Sequence, residues 1–178
     1  MSTRSEAPTG RVMDSRDLRD VLGHFCSGVT VVAAVVDDEP VGFTCQSFSA
    51  LSLDPPQILL CPSRHSTSWP MIRTAETFCV NVLSSRQRAL SDGFATSGGP
   101  KFEGVRWRPA ERGAPILEGV AAWFEVALAA EHDGGDHFIA VADLLDFGSG
   151  PRTDPLVFHR GRYSGVVELG LESVEGRK

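Results

Sequence analysis

Apolar residues recur along this chain in two rhythms, and the change from one to the other divides it into elements. Leu18, Val21, Leu22 and Phe25 fall at i, i+3, i+4 and i+7, the spacing of one helical face. Asp14 or Ser15 stands where an N-cap belongs, so a helix is expected through about Cys26, ended by Gly28. Val29–Val36 is then a β-branched run, and Asp37-Asp38-Glu39-Pro40 turns it into a second strand beginning near Val41. Strands are expected at 41–51, 57–62 and 77–83. Ser66–Thr74 and Ser84–Phe94 read as helices, the first with Pro70 near its N-terminal end. Gly and Pro fill Ala95–Pro115, which predicts mostly loop. Beyond it Val120, Ala122, Phe124, Val126, Leu128 and Ala130 share one face, with Trp123, Glu125 and Glu131 on the other, a period of two. The Asp133-Gly134-Gly135 turn leads into Phe138–Phe147, apolar on nearly both faces. That predicts a strand covered on one side by the core and on the other by a helix or a partner subunit. Leu156–His159 and Tyr163–Val167 add short strands. Many short antiparallel strands without regularly alternating helices predict a mainly β fold with a few helices, a closed barrel rather than a βαβ sheet.

A chain of 178 residues is long enough for one domain, expected over 13–168 between a flexible lead-in at 1–12 and a charged tail at 169–178. With 42% apolar and 22% charged residues and no long uninterrupted apolar run, a globular protein with no membrane span is expected. Seventeen Lys+Arg against 23 Asp+Glu leave a net charge of −6, which argues against a nucleic-acid partner. The cysteines Cys26, Cys45, Cys61 and Cys79 form no C-x-x-C pair, and each lies among apolar or small residues, so buried reduced thiols are expected. A polar N-terminus without an apolar segment places the protein in the cytoplasm. The five histidines are scattered, and no metal site is expected.

Signatures of α/β-hydrolases, P-loop enzymes, zincins and dinucleotide-binding βαβ units are all absent. Four stretches carry other chemistry. In Gly42–Pro56 small hydroxyl residues interleave with apolar ones, so backbone groups could approach the polar edge of a flat ring; a Ser-rich strand whose hydroxyls satisfy one another is the simpler account. Arg64-His65-Ser66-Thr67-Ser68-Trp69 could hold a phosphate or simply cap a helix. Gly134-Gly135-Asp136-His137 puts an imidazole beside glycines, or is only a hairpin turn. His159-Arg160-Gly161-Arg162-Tyr163 could bind anions or form a solvated turn.

Taken in order, these segments resemble the short-chain flavin reductase family, the reductase components of two-component flavin-dependent monooxygenases, over about residues 15–167. The markers are Phe25-Cys26-Ser27-Gly28-Val29-Thr30-Val31-Val32, Gly42-Phe43-Thr44 leading to Ser47-Phe48 and Ser49–Pro56, Phe78–Leu83, Gly135-Asp136-His137, and His159–Tyr163. The resemblance implies an FMN-binding split β-barrel that forms a homodimer, the second subunit lining part of the flavin site. It carries FMN or FAD onto Thr44, Cys45, Gln46, Ser47, Phe48, Ser49, Ser52, Ser66, Thr67, Ser68, Phe94, Ala95 and Lys101. NADH or NADPH falls on Gly135, Asp136, His137, Arg160 and Tyr163. Many relatives carry Ala-Asn where this chain has Cys45-Gln46, whose Gln reaches one methylene further. The implied activity is hydride transfer from NAD(P)H to flavin without a protein nucleophile, the reduced flavin going to a separate monooxygenase. An FMN-dependent oxidase of the same barrel type and a non-catalytic flavin-binding module are the alternatives.

Overall fold

A computed structural model describes residues 13–151 and 154–167, so the expected lead-in and tail lie outside the described residues. The first half contains α1 (Ser15–Leu22), β1 (Ser27–Gly28), β2 (Thr30–Val36), β3 (Glu39–Cys45), β4 (Ser49–Leu53), β5 (Pro56–Leu60), α2 (Trp69–Ile72) and β6 (Phe78–Val82). Then come α3 (Arg88–Ala95), β7 (Trp107–Pro109), β8 (Pro115–Leu117), β9 (Ala122–Gly134), β10 (His137–Ser149), β11 (Val157–His159) and β12 (Arg162–Ser164). Seven strands form one antiparallel sheet in the order β3-β2-β6-β9-β10-β5-β4.

Strands β3 and β4 are consecutive in the chain yet form the two edges of that sheet, and among the described residues no ladder joins them. The expected closed barrel is therefore a split one. The expected strand at 41–51 breaks at residues 46–48, which turn from one edge to the other. Ser47 fastens this corner: its Oγ accepts from the Cys61 N–H at 2.9 Å and lies 3.1 Å from the Cys61 carbonyl.

Both faces of the sheet are covered, which explains why β2 reads as a nearly continuous apolar run. Val32, Phe78, Val80 and Val126 turn toward one buried cluster, with Ile58, Leu60 and Trp69. Val31, Ala33 and Cys79 turn toward a second, with Phe94, Ile116, Leu117 and Val120. The β7–β8 hairpin arises inside a segment expected to be mostly loop. It covers the face of β9 that carries Glu125, which is fully buried. The Glu125 carboxylate accepts the N–H groups of Arg112, at 3.1 and 3.2 Å to its two oxygens, and of Ala114 at 3.3 Å, with the Arg112 guanidinium 3.8 Å away. A carboxylate with those partners is tolerated in a core that would exclude an unpaired one.

The helices are shorter than the apolar spacing predicts. α1 stops at Leu22 because Gly23 caps it, and its stripe, Leu18, Val21 and Leu22, is exposed in the single chain. α2 is one turn. α3 begins at Arg88 rather than Ser84 because residues 83–85 bond instead to the segment 154–156 before β11: Leu156 N–H donates to Leu83, and Ser85 N–H to Asp154. On β10 the outward face expected to be covered is partly open, Phe147 being 67% exposed. Cys26 is exposed, whereas Cys45 and Cys79 are buried and Cys61 is half-buried; burial pushes the Cys79 thiol up to about 12.

Candidate functional site

The end of β3, the segment after β5, the end of α3 and the start of β10 converge on a cavity of about 500 Å³. Its first wall is the corner that splits the barrel. Thr44, Cys45, Gln46 and Ser47 line it, with Phe43 beside them. Their side chains are largely committed to the protein. Thr44 Oγ1 donates to the Ser91 carbonyl at 2.7 Å, and the Cys45 thiol meets Ser47 Oγ at 3.2 Å. Burial pushes the Cys45 thiol up, so it stays protonated at neutral pH. Among the described residues, the backbone N–H of Gln46 donates to no protein acceptor, and its side chain is exposed.

The second wall is built by Ser66 and Thr67, with Lys101 opposite. Ser66 Oγ accepts the Trp69 N–H at 3.1 Å, while the Thr67 N–H has no protein acceptor among the described residues. Lys101 Nζ donates to the Gly42 and Phe94 carbonyls at 3.2 Å each, which leaves one ammonium N–H for a ligand. Phe94 and Ala95 supply an apolar side. Gly42 lets Phe94 in: a Cβ there would lie 2.8 Å from the Phe94 ring.

The third wall is His137. Its Nδ1 lies 2.8 Å from Asp136 Oδ1, so the ring is oriented and Nε2 is its remaining polar atom. The His137 hydrogen bond and charge hold the Asp136 carboxyl below its ordinary range. Arg64 fixes this hairpin from outside the cavity, its N–H donating to the Asp136 carbonyl, its Nε to Gly135, and its guanidinium pairing with Asp133.

The structure thus brings together Thr44, Cys45, Gln46, Ser47, Ser66, Thr67, Phe94, Ala95, Lys101 and His137. It places other named residues elsewhere. Phe48 stacks on Phe124 against the inner core, with ring centroids 5.4 Å apart. Ser49 is exposed at the start of β4, and Ser52 Oγ accepts the Asp54 N–H in a turn. Ser68 is buried behind the wall, its Oγ donating to Gly42 at 2.8 Å, which ties α2 to β3. Gly135 and Asp136 stand behind His137. Arg160 occupies the β11–β12 turn at φ 49° and donates its N–H to Gly23. Tyr163 lies on α3, its OH donating to Asp92 at 2.7 Å and meeting Ser91 Oγ at 3.0 Å. It touches the cavity only through α3, whose Ser91 carbonyl holds Thr44. Phe43, Cys61, Ser63, His65 and Ser97 also line the cavity. Of these only His65 lay in a stretch singled out for anion binding.

Free backbone donors, one ammonium, an apolar side and an oriented imidazole suit a planar polar ring with an anionic tail, with a second ligand reaching in past His137. Among the described residues, no group of three or more His, Cys, Asp or Glu could hold a metal ion, and no helix is long and apolar enough to cross a membrane.

The Flavin reductase like domain matches residues 22–166. The reductase subunit HsaB of a flavin-dependent monooxygenase from Mycobacterium tuberculosis is 47% identical over 86% of this chain and 83% of its own. The FMN reductase (NADH) SmoA of Agrobacterium fabrum is 40% identical over 84% and 85%. Among solved structures, the Streptomyces globisporus NADH:FAD oxidoreductase SgcE6, in complex with NAD and FAD fragments, superposes with a TM-score of 0.79. It is 32% identical and covers 92% of this chain and 99% of that one.

Proposed function

Because the chain belongs to the flavin reductase like family, we propose that it is an NAD(P)H:flavin oxidoreductase that reduces FMN or FAD and supplies the reduced flavin to a separate monooxygenase component. The observation that carries this reading is one cavity with unpaired donors at Gln46 and Thr67, a cation at Lys101, and an oriented imidazole at its lip. The NADH-linked FMN and FAD reductases among its relatives support the choice of cofactors.

A bound flavin supplies the two-electron acceptor. The protein's part is to hold two flat rings in register and to stabilise charge, which needs no nucleophilic side chain. The Gln46 N–H and the exposed Gln46 amide would hold the polar edge of a bound flavin ring, where fixed donors favour negative charge. Thr67 and Lys101 would hold the phosphate end, and Phe94 with Ala95 would exclude water from the side of the ring. His137, oriented by Asp136, positions the nicotinamide nucleotide rather than moving a proton in the hydride step. Arg160 and Tyr163 act at most through the elements they brace. A homodimer fits the apolar side chains left open on β4 and β10, where Leu53 is 94% exposed.

The test is anaerobic absorbance at the oxidised flavin band, mixing the protein with FMN or FAD and then with NADH or NADPH. Rapid bleaching with one pair establishes the activity and both preferences. Flavin binding without bleaching by either nucleotide would overturn the reductase reading.

A further inference from the structure

A second cavity, of about 590 Å³, opens between the β7–β8 hairpin and the paired ends of β9 and β10, and it shares no residue with the first. Ile116, Leu117 and Val120 form a buried apolar floor, and two of the chain's three tryptophans, Trp107 and Trp123, form its walls. Contacts within the protein set both indoles in place. Trp107 meets the Phe102 ring edge-on at 6.5 Å. Trp123 lies so close to Gly148 that a Cβ there would be 2.7 Å from the indole. At Gly150 a Cβ would be 1.8 Å from the Val120 carbonyl oxygen, and the Gly150 N–H donates to Ala121 at 2.9 Å. The two glycines therefore let β10 press against the start of β9 and shape the rim.

Among the described lining residues, the charges are unbalanced by one. Arg106 is paired with Glu118 at 2.8 Å. Arg108 stacks its guanidinium 5.6 Å from the Trp123 ring centre and has no carboxylate partner among the described residues. A stacked guanidinium keeps the edge of its fork free for a carboxylate, and the Trp107 face, unlike that of Trp123, is left for another flat ring.

We propose that this cavity is a second ligand site, separate from the flavin cavity, for a small planar aromatic monoanion held against the Trp107 face and the edge of Trp123, with its carboxylate or phenolate on Arg108. The reading does not depend on the reductase assignment, because it uses none of the residues of the first cavity.

The test is a titration of the ¹⁵N-labelled full chain with 2-naphthoate, following the three indole N–H signals, and a parallel titration with uncharged 2-naphthamide. Trp69 is the internal control, since it is buried in the inner core with its indole N–H on Glu131. The expected result is a saturable shift of the Trp107 and Trp123 signals with Trp69 unmoved. Binding should weaken about fivefold or more for the amide, and likewise for Arg108→Gln, since either change removes the charge-assisted contact. The amide arm needs no variant, so misfolding of Arg108→Gln would not blunt the test. Indole signals that stay still up to ~5 mM naphthoate, beyond which binding is weaker than ordinary specific recognition, would overturn the proposal. Equal binding of acid and amide, or displacement of naphthoate by FMN, would overturn it as well.

Discussion

Among the described residues, Lys101 is the one lysine or arginine side chain lining the first cavity, and two of its three N–H donors already serve carbonyls. Partial burial lowers its pKa from the ordinary 10.5, so the charge is present at neutral pH and is lost as pH rises through a value below 10.5. If that charge holds the flavin phosphate, FMN should bind more tightly than riboflavin at pH 7, and the difference should shrink as pH rises toward 10.5. Comparing the two flavins removes effects of the ring's own ionisation. In Lys101→Arg the difference should persist, because a guanidinium stays charged; parallel fluorescence titrations of both proteins check this. His137 carries a different expectation. Its hydrogen bond and charge lower the Asp136 carboxyl pKa, so what they contribute is lost as pH falls through that lowered value. His137→Ala should raise KM for NAD(P)H by about tenfold, the value of one well-placed hydrogen bond, and leave flavin affinity nearly unchanged. Unaltered steady-state kinetics in that variant would remove His137 from the site.

At the scale of elements, the corner between β3 and β4 joins fold and site. Ser47 pins the corner to Cys61, just after β5, with one hydroxyl, so Ser47→Ala leaves the half-buried Cys61 N–H without its acceptor. A loss of about 1–3 kcal/mol is expected, seen as a Tm lower by roughly 2–10 °C, together with weaker flavin binding because the Gln46 wall slackens. Thermal melts and flavin titration of the same variant read both; an unchanged melt would mean that the corner is held otherwise. The long strands were legible because their patterns are strong: β2 is apolar after Thr30 and mostly β-branched, and the sequence of β9 alternates. The β7–β8 hairpin was not, since three-residue strands bounded by Gly and Pro carry no period. Nor was the shortness of α2, because Ser66 and Ser68 look like helix-start residues, while the Ser68 hydroxyl is drawn to Gly42 and Ser66 caps only Trp69. The same limit applies to the cavity. Residues 44–47 and 66–67 stand in contiguous hydroxyl-rich runs that sequence could single out. Cys61 reaches the cavity only because β4 and β5 fold back as a hairpin, and Ser63 because it bridges His137 across the sheet. Such partners are set by register, which one chain's composition does not display.

At the scale of the molecule, the single chain leaves large apolar side chains in water. Leu53 and Phe147, on strands that flank β5, are 94% and 67% exposed, and the α1 stripe extends through Phe25, which is 83% exposed. A lone folded chain gains nothing from such positions, whereas a second copy placed across a two-fold axis would cover them, each residue being buried twice. The apolar outer face of β10 would then have a partner subunit, one of the two covers, helix or partner, that its sequence pattern leaves open. Burying a Leu or Phe side chain is worth about 1.5–3 kcal/mol, so introducing a carboxylate at these positions should act strongly, and doubly by symmetry. The wild-type chain should sediment as a dimer at ~10 μM, with about 800 Å² covered on each copy if the interface is of ordinary size. Leu53→Asp combined with Phe147→Asp should sediment as a monomer that still melts cooperatively, since neither side chain belongs to either buried cluster. The flavin titration of that monomer then decides what the partner does. Affinity lowered about tenfold or more would mean that the second copy completes the flavin cavity, at a cost of roughly 1.4 kcal/mol. Undiminished affinity would confine the whole site to one chain, and a wild-type monomer would remove the dimer itself.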